Sequence, residues 1–338
     1  MGIVLGQNSR SITPSQTTTY TITASNSMGS VNKSATVIVS SETSISPNYV
    51  QVEKTESLGP IGTDASQYSP WVMYKSGWGS YLMYYCKNTP IDGVYRDRVW
   101  RGENWGDGKT GWEDGQVVIQ ATSTQSEDDL SCSPGVVIAG NTWHMYYTAA
   151  NRDTPLDVYL YHATASAPGV DWQKLGRVRG ISPTLSGYLE TPSPLYQNGN
   201  IILYFIGPDH GLYKATSLDG TNFSSPVKLN APISTGGRVT FSNGVYYYTY
   251  SREPSSVFLA PTAIYLSTSA DGINFSNGQL LFSASGSDWD SGKIWSPHTF
   301  FENQSIMRIY YAGNSGEYPF WWGLNSSMGV RSFNIQSS

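Results

Sequence analysis

The feature that most constrains the fold is an internal repeat that occurs five times between residues 48 and 338. Each copy joins an apolar strand through a short turn to a tyrosine-rich strand. The copies are SPWVMYKSGWGSYLMYYC (69–86), SPGVVIAGNTWHMYYTA (133–149), SPLYQNGNIILYFIG (193–207), RVTFSNGVYYYTYS (238–251) and SPHTFFENQSIMRIYYAG (296–313). Repetition at this spacing is typical of architectures that stack equivalent units.

Further strands complete each repeat. A third strand follows several copies, and in two of them it leads into the shared pattern S-x-D-G-x-N-F, at 217–223 and 269–275. A four-stranded antiparallel sheet with two apolar faces must pack between neighbours, and radial closure leaves only short edges. The sequence therefore predicts an all-β chain whose residues 48–338 form a five-bladed β-propeller, with residues 49–58 supplying the last strand and closing the ring.

Residues 1–44 differ from the repeats, because they are rich in Ser and Thr and nearly free of aromatic residues. Two alternating segments around the turn Asn26-Ser27-Met28-Gly29 predict a pair of strands. The run TPSQTTTYTITASNSMGS (13–30) resembles the end of a bacterial immunoglobulin-like repeat. This resemblance implies a partial immunoglobulin-like β segment in front of the propeller, and with it a bacterial, multidomain, exported protein.

Composition narrows the class of function. The 20 basic and 25 acidic residues give a net charge of −5, which argues against nucleic acid as the main partner. The sequence also lacks an apolar run long enough to cross a membrane. The two cysteines, Cys86 and Cys132, cannot build a four-cysteine metal site, and they are either one disulfide or two buried thiols.

Acidic residues recur where the innermost strand of each repeat begins. These strands converge on the propeller axis, so their preceding loops would bring the acids together around a central pit. The acids are Asp64, Glu127, Asp128, Asp129, Glu190, Asp288 and Asp290. Facing carboxyls of this kind suit cleavage of a glycosidic bond, for which one carboxyl is protonated and the other ionised.

The five repeats, with their S-P-x-V and Y-M-Y-Y patterns, resemble the five-bladed propeller glycosidases, in particular glycoside hydrolase family 43. The third repeat carries Glu190-Thr191-Pro192 followed by Asn198-Gly199, like the segment with the family's general acid. The resemblance therefore implies that Glu190 is the acid. The acids that the family places on the first two blades are absent, since Ser69 and Gly135 stand there. Asp64 and Asp129 are the replacements that we predict as base or modulator.

Other residues are predicted to contact the substrate. Indole rings offer flat apolar surfaces to sugars, and cations at the axis could hold their polar groups. The candidates are Trp71, Arg238, His298, Trp321 and Trp322. His298 could equally be a core histidine, and the tryptophan-rich insertion 96–115 is either a wall of the pit or a packed loop and outer strand.

The sequence thus predicts a secreted or cell-surface glycoside hydrolase, inverting and monomeric. Its expected substrate is a polysaccharide or oligosaccharide that contains arabinose or xylose. We expect no cofactor beyond, at most, a structural calcium ion on the axis. Two alternatives stay open: a non-catalytic carbohydrate-binding propeller of a multidomain surface protein, and an adhesion or structural propeller without a sugar ligand.

Overall fold

The structure is a computed structural model. It describes residues 18–37, 48–51, 56–57, 66–91, 94–113, 115–123, 126–169, 171–181, 185, 187–252, 261–315 and 325–336. The chain divides into two compact units, Met1–Ser46 and Pro47–Ser338. Within the described ranges the regular elements are β-strands. In those ranges there is no helix of sufficient length and apolarity to cross a membrane.

The first unit contains an antiparallel hairpin of β1 (Thr18–Asn26) and β2 (Gly29–Val37). The Met28 amide donates to the Asn26 side chain at 2.8 Å, which fixes the turn that the sequence predicted. The rest of residues 1–44 lies outside the described residues, so the immunoglobulin-like character of this segment stays a prediction.

The second unit is built from five antiparallel sheets, which we call blades one to five. Two short strands come first in the chain, β3 (Asn48–Gln51) and β4 (Glu56–Ser57). Blade one is β5 (Gln67–Lys75), β6 (Ser80–Ile91), β7 (Val94–Asn104) and β8 (Gln116–Ile119). Blade two is β9 (Leu130–Ala139), β10 (Thr142–Ala150), β11 (Tyr159–Ala165) and β12 (Gln173–Arg177). Blade three is β13 (Glu190–Gln197), β14 (Asn200–Ile206), β15 (Leu212–Ser217) and β16 (Val227–Lys228).

Blade four is β17 (Gly236–Ser242), β18 (Val245–Arg252), β19 (Ala263–Ser269) and β20 (Gln279–Ser283). Blade five takes three consecutive strands, β21 (Lys293–Phe301), β22 (Ile306–Asn314) and β23 (Ser327–Gln336). Its fourth strand is β3, which pairs with β23 in the order β21-β22-β23-β3. The predicted five-bladed β-propeller is confirmed, and so is the prediction that the segment before the first repeat supplies the missing strand of the last blade.

Tight turns connect the two inner strands of each blade, and two of these turns show why the local sequence folds this way. Asn198 and Gly199 have φ of 51° and 78°, and Asn243 and Gly244 have φ of 50° and 80°. Two successive residues with positive φ make the turn whose twist matches a two-residue hairpin, and Asn-Gly is the pair that adopts it most readily.

The core lies between blades because successive side chains of a strand point to opposite faces. Tyr84 packs with Val136 and Trp143 of blade two. Its neighbour Tyr85 packs with Tyr310 of blade five on the other side. All of these rings are nearly or fully buried. Alternation within β6 therefore joins blade one to both neighbours, which closes the ring.

The innermost strands share an unusual backbone step at the axis. Ser69, Ser133, Thr191 and Ser296 each precede a proline and adopt a left-handed conformation, with φ between 46° and 53°. The Ser69 hydroxyl lies 3.3 Å from that of Ser133 and 3.1 Å from that of Ser296. In blade three the step is at Thr191-Pro192, so Glu190 corresponds to Tyr68 of blade one. The sequence repeat had instead aligned Ser193-Pro194 with Ser69-Pro70.

Cys86 of β6 and Cys132 of β9 form a disulfide between blades one and two, with a Cα–Cα distance of 5.2 Å. Of the two alternatives for these cysteines, the structure shows the bridge. The disulfide packs with Tyr68 and Trp295 near the start of the innermost strands. It therefore fastens two blades at the end of the propeller where the candidate acid Glu190 lies.

Candidate active site

The first residues of the innermost strands meet at one end of the propeller axis. Glu190 begins β13 there and is partly exposed. The Tyr188 hydroxyl donates a hydrogen bond to the Glu190 carboxyl, and Arg238 lies close enough to attract its negative charge. Burial outweighs both contacts and raises the pKa of Glu190 to about 7. Glu190 can therefore hold a proton near neutral pH.

A second carboxyl, Asp97, belongs to the same end of the propeller. It lies on β7 of blade one, where Asn88 Nδ2 donates to its Oδ1 at 2.9 Å and the Tyr68 hydroxyl donates a further hydrogen bond. Burial raises the pKa of Asp97, while both hydrogen bonds and the charge of Arg98 favour its ionised form. Asp97 is thus buried and held by two side-chain hydrogen bonds.

The two carboxyls belong to one electrostatic cluster. Burial raises the pKa of Tyr68, and the charges of Asp97 and Glu190 add to this effect. The pKa of Tyr188 is raised by burial, by Glu190 and also by Asp97. The pKa of each tyrosine is therefore affected by the carboxyl of the other pair. The Glu190–Tyr188 and Asp97–Tyr68 pairs are thus close enough to interact electrostatically.

Asp97 was not among the site residues predicted from the sequence. The candidate acids came from the loops before the innermost strands, whereas Asp97 lies on the third strand of its blade. A signal was present. Arg96-Asp97-Arg98 places three charges in succession within a strand, in a chain with only 13% charged residues. Buried charges need partners, so such a cluster inside a strand indicates a site.

Asp129, predicted as base or modulator, is fully buried in ion pairs. Its Oδ1 lies 3.2 Å from Arg96 Nε and 3.7 Å from Arg98 Nη2, and its side chain has no exposed area. Arg98 also donates to the Asp129 carbonyl oxygen. In this structure Asp129 holds the two arginines that flank Asp97, and it has no surface with which to meet a substrate.

Three predicted substrate contacts pack together, and one of them, Arg238, is the arginine whose charge acts on Glu190. Arg238 Cζ is 5.3 Å from the centre of the Trp71 indole, and the Trp71 and His298 rings are 4.4 Å apart. Their exposed fractions are 0% for Arg238, 6% for Trp71 and 3% for His298. They therefore offer little area to a sugar ring in this structure, and they form a packed support under Glu190.

His298 illustrates this supporting role. Its Nε2 lies 2.9 Å from the Val72 carbonyl oxygen, and burial together with the charge of Arg238 lowers its pKa to about 3. The ring is neutral at ordinary pH, so the nitrogen that meets the carbonyl carries the hydrogen and donates. Of the two alternatives for His298, this geometry favours the core histidine.

The remaining predicted residues, Asp64, Trp321 and Trp322, lie outside the described residues.

The two halves of the insertion 96–115 differ in their contacts. Arg96 and Arg98 connect to the site through Asp129, whereas Trp112 is buried and donates to the Lys109 carbonyl. Trp105 follows β7 at its far end and is exposed. Of the two alternatives for this insertion, the burial of Trp112 favours a packed loop and outer strand for its later half.

The two family positions without an acid have clear structural reasons. The Ser69 hydroxyl is engaged in the axial contacts with Ser133 and Ser296. At Gly135 an added Cβ would overlap the Pro192 carbonyl oxygen. No side chain fits at Gly135 without a backbone shift, so a second-blade acid cannot stand there.

Among the described residues there is also no group of three His, Cys, Asp or Glu side chains that could hold a metal ion. A calcium ion on the axis stays a prediction.

This fold and site define a five-bladed β-propeller with two coupled carboxyls at one end of its axis. No protein-family model and no curated protein matches the chain. Solved structures do match, and the three described below have 13–14% identity and TM-scores of 0.59–0.61.

Three of these structures represent the group. The family 117 glycoside hydrolase of Zobellia galactanivorans has a TM-score of 0.61 and 14% identity, over 87% of this chain and 92% of that one. The GH43_1 enzyme of Xanthomonas citri complexed with xylose has 0.59 and 14%, over 83% and 90%. The N-acetylgalactosamine deacetylase of F. plautii, in complex with blood group B trisaccharide, has 0.59 and 13%, over 85% and 95%. The chain has the fold of the propeller glycosidases, and at these identities the likeness shows the fold alone.

Proposed function

We propose that the protein is a glycoside hydrolase in which Glu190 is the general acid and Asp97 the second carboxyl. The observation that carries this proposal is the pair of tyrosine-bound carboxyls, Glu190 with Tyr188 and Asp97 with Tyr68, coupled at one end of the axis. Glycosidic cleavage needs one protonated and one ionised carboxyl at a single site. The pKa of about 7 at Glu190 suits the acid.

The environments of the two carboxyls separate their roles. Burial raises the pKa of Asp97, while two neutral hydrogen-bond donors and the charge of Arg98 favour its anion. Glu190 accepts a hydrogen bond from Tyr188 and lies near Arg238, yet burial raises its pKa to about 7, so it can supply a proton near neutral pH. Glu190 would protonate the leaving oxygen while Asp97 activates water or attacks the sugar. A separation of about 6.5–9.5 Å between the carboxyls fits inversion, and about 5–5.5 Å fits retention.

Substrate class and location follow as parts of the same proposal. A neutral pentose-containing polysaccharide, with arabinose or xylose, is supported by the similar enzyme that was solved with xylose. Secretion or display at the cell surface is supported by the Cys86–Cys132 disulfide, since such bonds persist in oxidising compartments.

The test is hydrolysis of arabinan, xylan and aryl glycosides by the wild type and by Glu190→Gln. Because a placed proton donor contributes about 10²–10⁴-fold, the variant should lose that factor on polysaccharide. It should lose less on an aryl glycoside whose leaving group departs without protonation. Equal rates for both proteins would refute the role of Glu190, and NMR of the first product anomer decides between inversion and retention.

A carbohydrate-binding propeller without catalysis is the second candidate. Ser69 and Gly135 favour it, because they occupy the two positions where the family has acids. The Ser69 hydroxyl contacts Ser133, and the backbone of Pro192 leaves no room for a side chain at Gly135. The same panel separates the two candidates. A wild-type protein that binds one of the polysaccharides and hydrolyses none of the panel is a binding module.

A further inference from the structure

Three exposed aromatic residues gather on blade one at the end away from the carboxyls. Tyr74, Trp78 and Trp105 are 47%, 44% and 58% exposed, and we call them the blade-one platform. The described residues include six aromatic side chains that are at least 39% exposed, so half of them lie in one hairpin and the adjoining loop. Large exposed apolar groups that cluster in this way mark an interaction site.

Trp78 is held in place on one of its faces. It lies in the turn between β5 and β6, where the Trp78 amide donates to the Lys75 carbonyl at 3.0 Å. Lys75 Nζ lies 3.0 Å from the centre of the Trp78 ring and 5.5 Å from that of the buried Trp143. The ammonium group thus fixes one face of the indole, and the exposed fraction belongs to the rest of the ring.

Trp105 is held by the loop that carries it. The preceding Asn104 accepts hydrogen bonds from the amides of Gly106 and Gly108 at 2.8 and 3.0 Å, and donates to the Thr110 carbonyl. Tyr310 of blade five donates to the Gly108 carbonyl at 2.8 Å. A loop that is tied internally and to the next blade presents its exposed indole in a fixed position, which lowers the entropy lost on binding.

The two indoles come from adjoining backbone. Asn104 pairs with Tyr81 and Ser80 pairs with Lys75 in the register of blade one, so the loop that begins at Trp105 leaves the sheet beside the turn that carries Trp78. The Ser80 hydroxyl also donates to Glu103 at 2.7 Å. Trp78 and Trp105 are therefore carried by adjoining backbone at the same edge of blade one.

The platform is separate from the candidate active site. Tyr68, which binds Asp97, lies near the start of β5, and Tyr74 lies six residues further along the same strand. At about 3.3 Å per residue this is roughly 20 Å. A sugar residue at the carboxyls cannot also touch the platform, so any ligand there occupies a second site.

The charge of the platform indicates the ligand. Residues 74–81 and 103–110 contain two basic and two acidic side chains, so their net charge is zero. Lys75 is engaged by Trp78, Glu103 by Ser80, and Asp107 by the backbone amide of Lys109. Flat apolar rings on a surface without net charge complement the C–H faces of neutral sugar rings, and they offer nothing to phosphate or to an acidic polymer.

We propose that the blade-one platform binds a neutral polysaccharide chain, with Trp78 and Trp105 as stacking surfaces. This site would hold the protein on insoluble material while the opposite end of the propeller remains free. The inference does not depend on catalysis at Glu190.

The experiment measures retention of the full chain on insoluble xylan, insoluble arabinan and cellulose, with polygalacturonate as an acidic comparison. The parent is Glu190→Gln, so that hydrolysis cannot remove the ligand. Trp78→Ala and Trp105→Ala should each weaken retention on a neutral polymer about tenfold, and about a hundredfold together. Tyr196→Ala is the matched control, because Tyr196 is 45% exposed before the equivalent turn of blade three.

Retention that falls in the tryptophan variants alone, with an unchanged unfolding midpoint, supports the platform. Three results overturn it. They are no retention of the parent on any neutral polymer, an equal loss in Tyr196→Ala, and a concentration-dependent dimer that the tryptophan substitutions dissociate. The last result would assign the surface to a second copy of the chain.

Discussion

Tyr68 lies directly opposite Cys86 in the register of blade one, so the residue that hydrogen-bonds Asp97 shares a sheet position with one half of the Cys86–Cys132 disulfide. The covalent link between blades and the polar cluster of the candidate site are therefore built on the same pair of strands. Changes at the disulfide should reach the site through this pairing.

We predict that Cys86→Ser combined with Cys132→Ser lowers the free energy of unfolding by about 4 kcal/mol. The two cysteines are 46 residues apart, and the loop-closure model gives this value for a loop of that length. Urea unfolding of the variant, and of wild type with and without reductant, measures the effect. Identical midpoints for oxidised and reduced wild type would show that the bridge is absent in solution.

We predict that Glu190→Gln stabilises the protein at pH 8 and leaves its stability unchanged at pH 4. The pKa of Glu190 rises from 4.5 to about 7 on folding, so the folded state binds more protons between these values. The wild type therefore loses stability as pH rises through this window, whereas glutamine does not titrate. The expected gain at pH 8 is roughly 1–3 kcal/mol, read from urea unfolding at both pH values.

We predict that Tyr188→Phe moves the alkaline limb of the activity profile upward by about one pH unit. The Tyr188 hydrogen bond favours ionised Glu190, so its loss raises the pKa of Glu190 and keeps the general acid protonated to a higher pH. Rates on xylan or arabinan between pH 5 and 9 give the limb. Tyr213→Phe, whose hydroxyl bonds Asp209 instead, is the control and should leave the limb in place.

Asp97 and Asp129 should respond differently to the same change. Asp97→Asn is expected to lower hydrolysis by about 10²–10⁴-fold without loss of stability, because burial already disfavours its charged form. Asp129→Asn is expected to cost about 3–5 kcal/mol of stability, because it leaves Arg96 and Arg98 buried without their carboxylate. Unfolding curves and steady-state rates on both variants separate the roles. An active, destabilised Asp97→Asn protein would reverse the assignment.

The fold was open to prediction because its determinants are local and repeated. Five alternating strand pairs, each with turn residues such as Asn198-Gly199, fix the number of blades without any knowledge of long-range contacts. The closing strand could also be foreseen, since the last repeat lacked a partner. The frame of blade three was wrong, because the left-handed step at Thr191 does not show in a hydrophobic pattern.

The site was less accessible to the same reasoning. Glu190 stands out in the sequence because Glu190-Thr191-Pro192 directly precedes the third repeat. The sequence does not show whether Asp97 or Asp129 is the carboxylate buried in ion pairs. That depends on the contact between the loop before β9, which carries Asp129, and the two arginines of β7. The exposure of Trp71, Arg238 and His298 likewise depends on packing between blades, which no single strand encodes.

The pairing of β3 with β23 has a consequence for biosynthesis. β3 is made before any blade, whereas its partner residues Phe333–Gln336 are made after the innermost strands of all five blades. Because contacts between distant parts of a chain form late and at an entropic cost, the ring stays open until residues 333–336 have left the ribosome. During that interval blade one and blade five each expose an unsatisfied apolar face, so the nascent chain is vulnerable to aggregation until β23 pairs with β3.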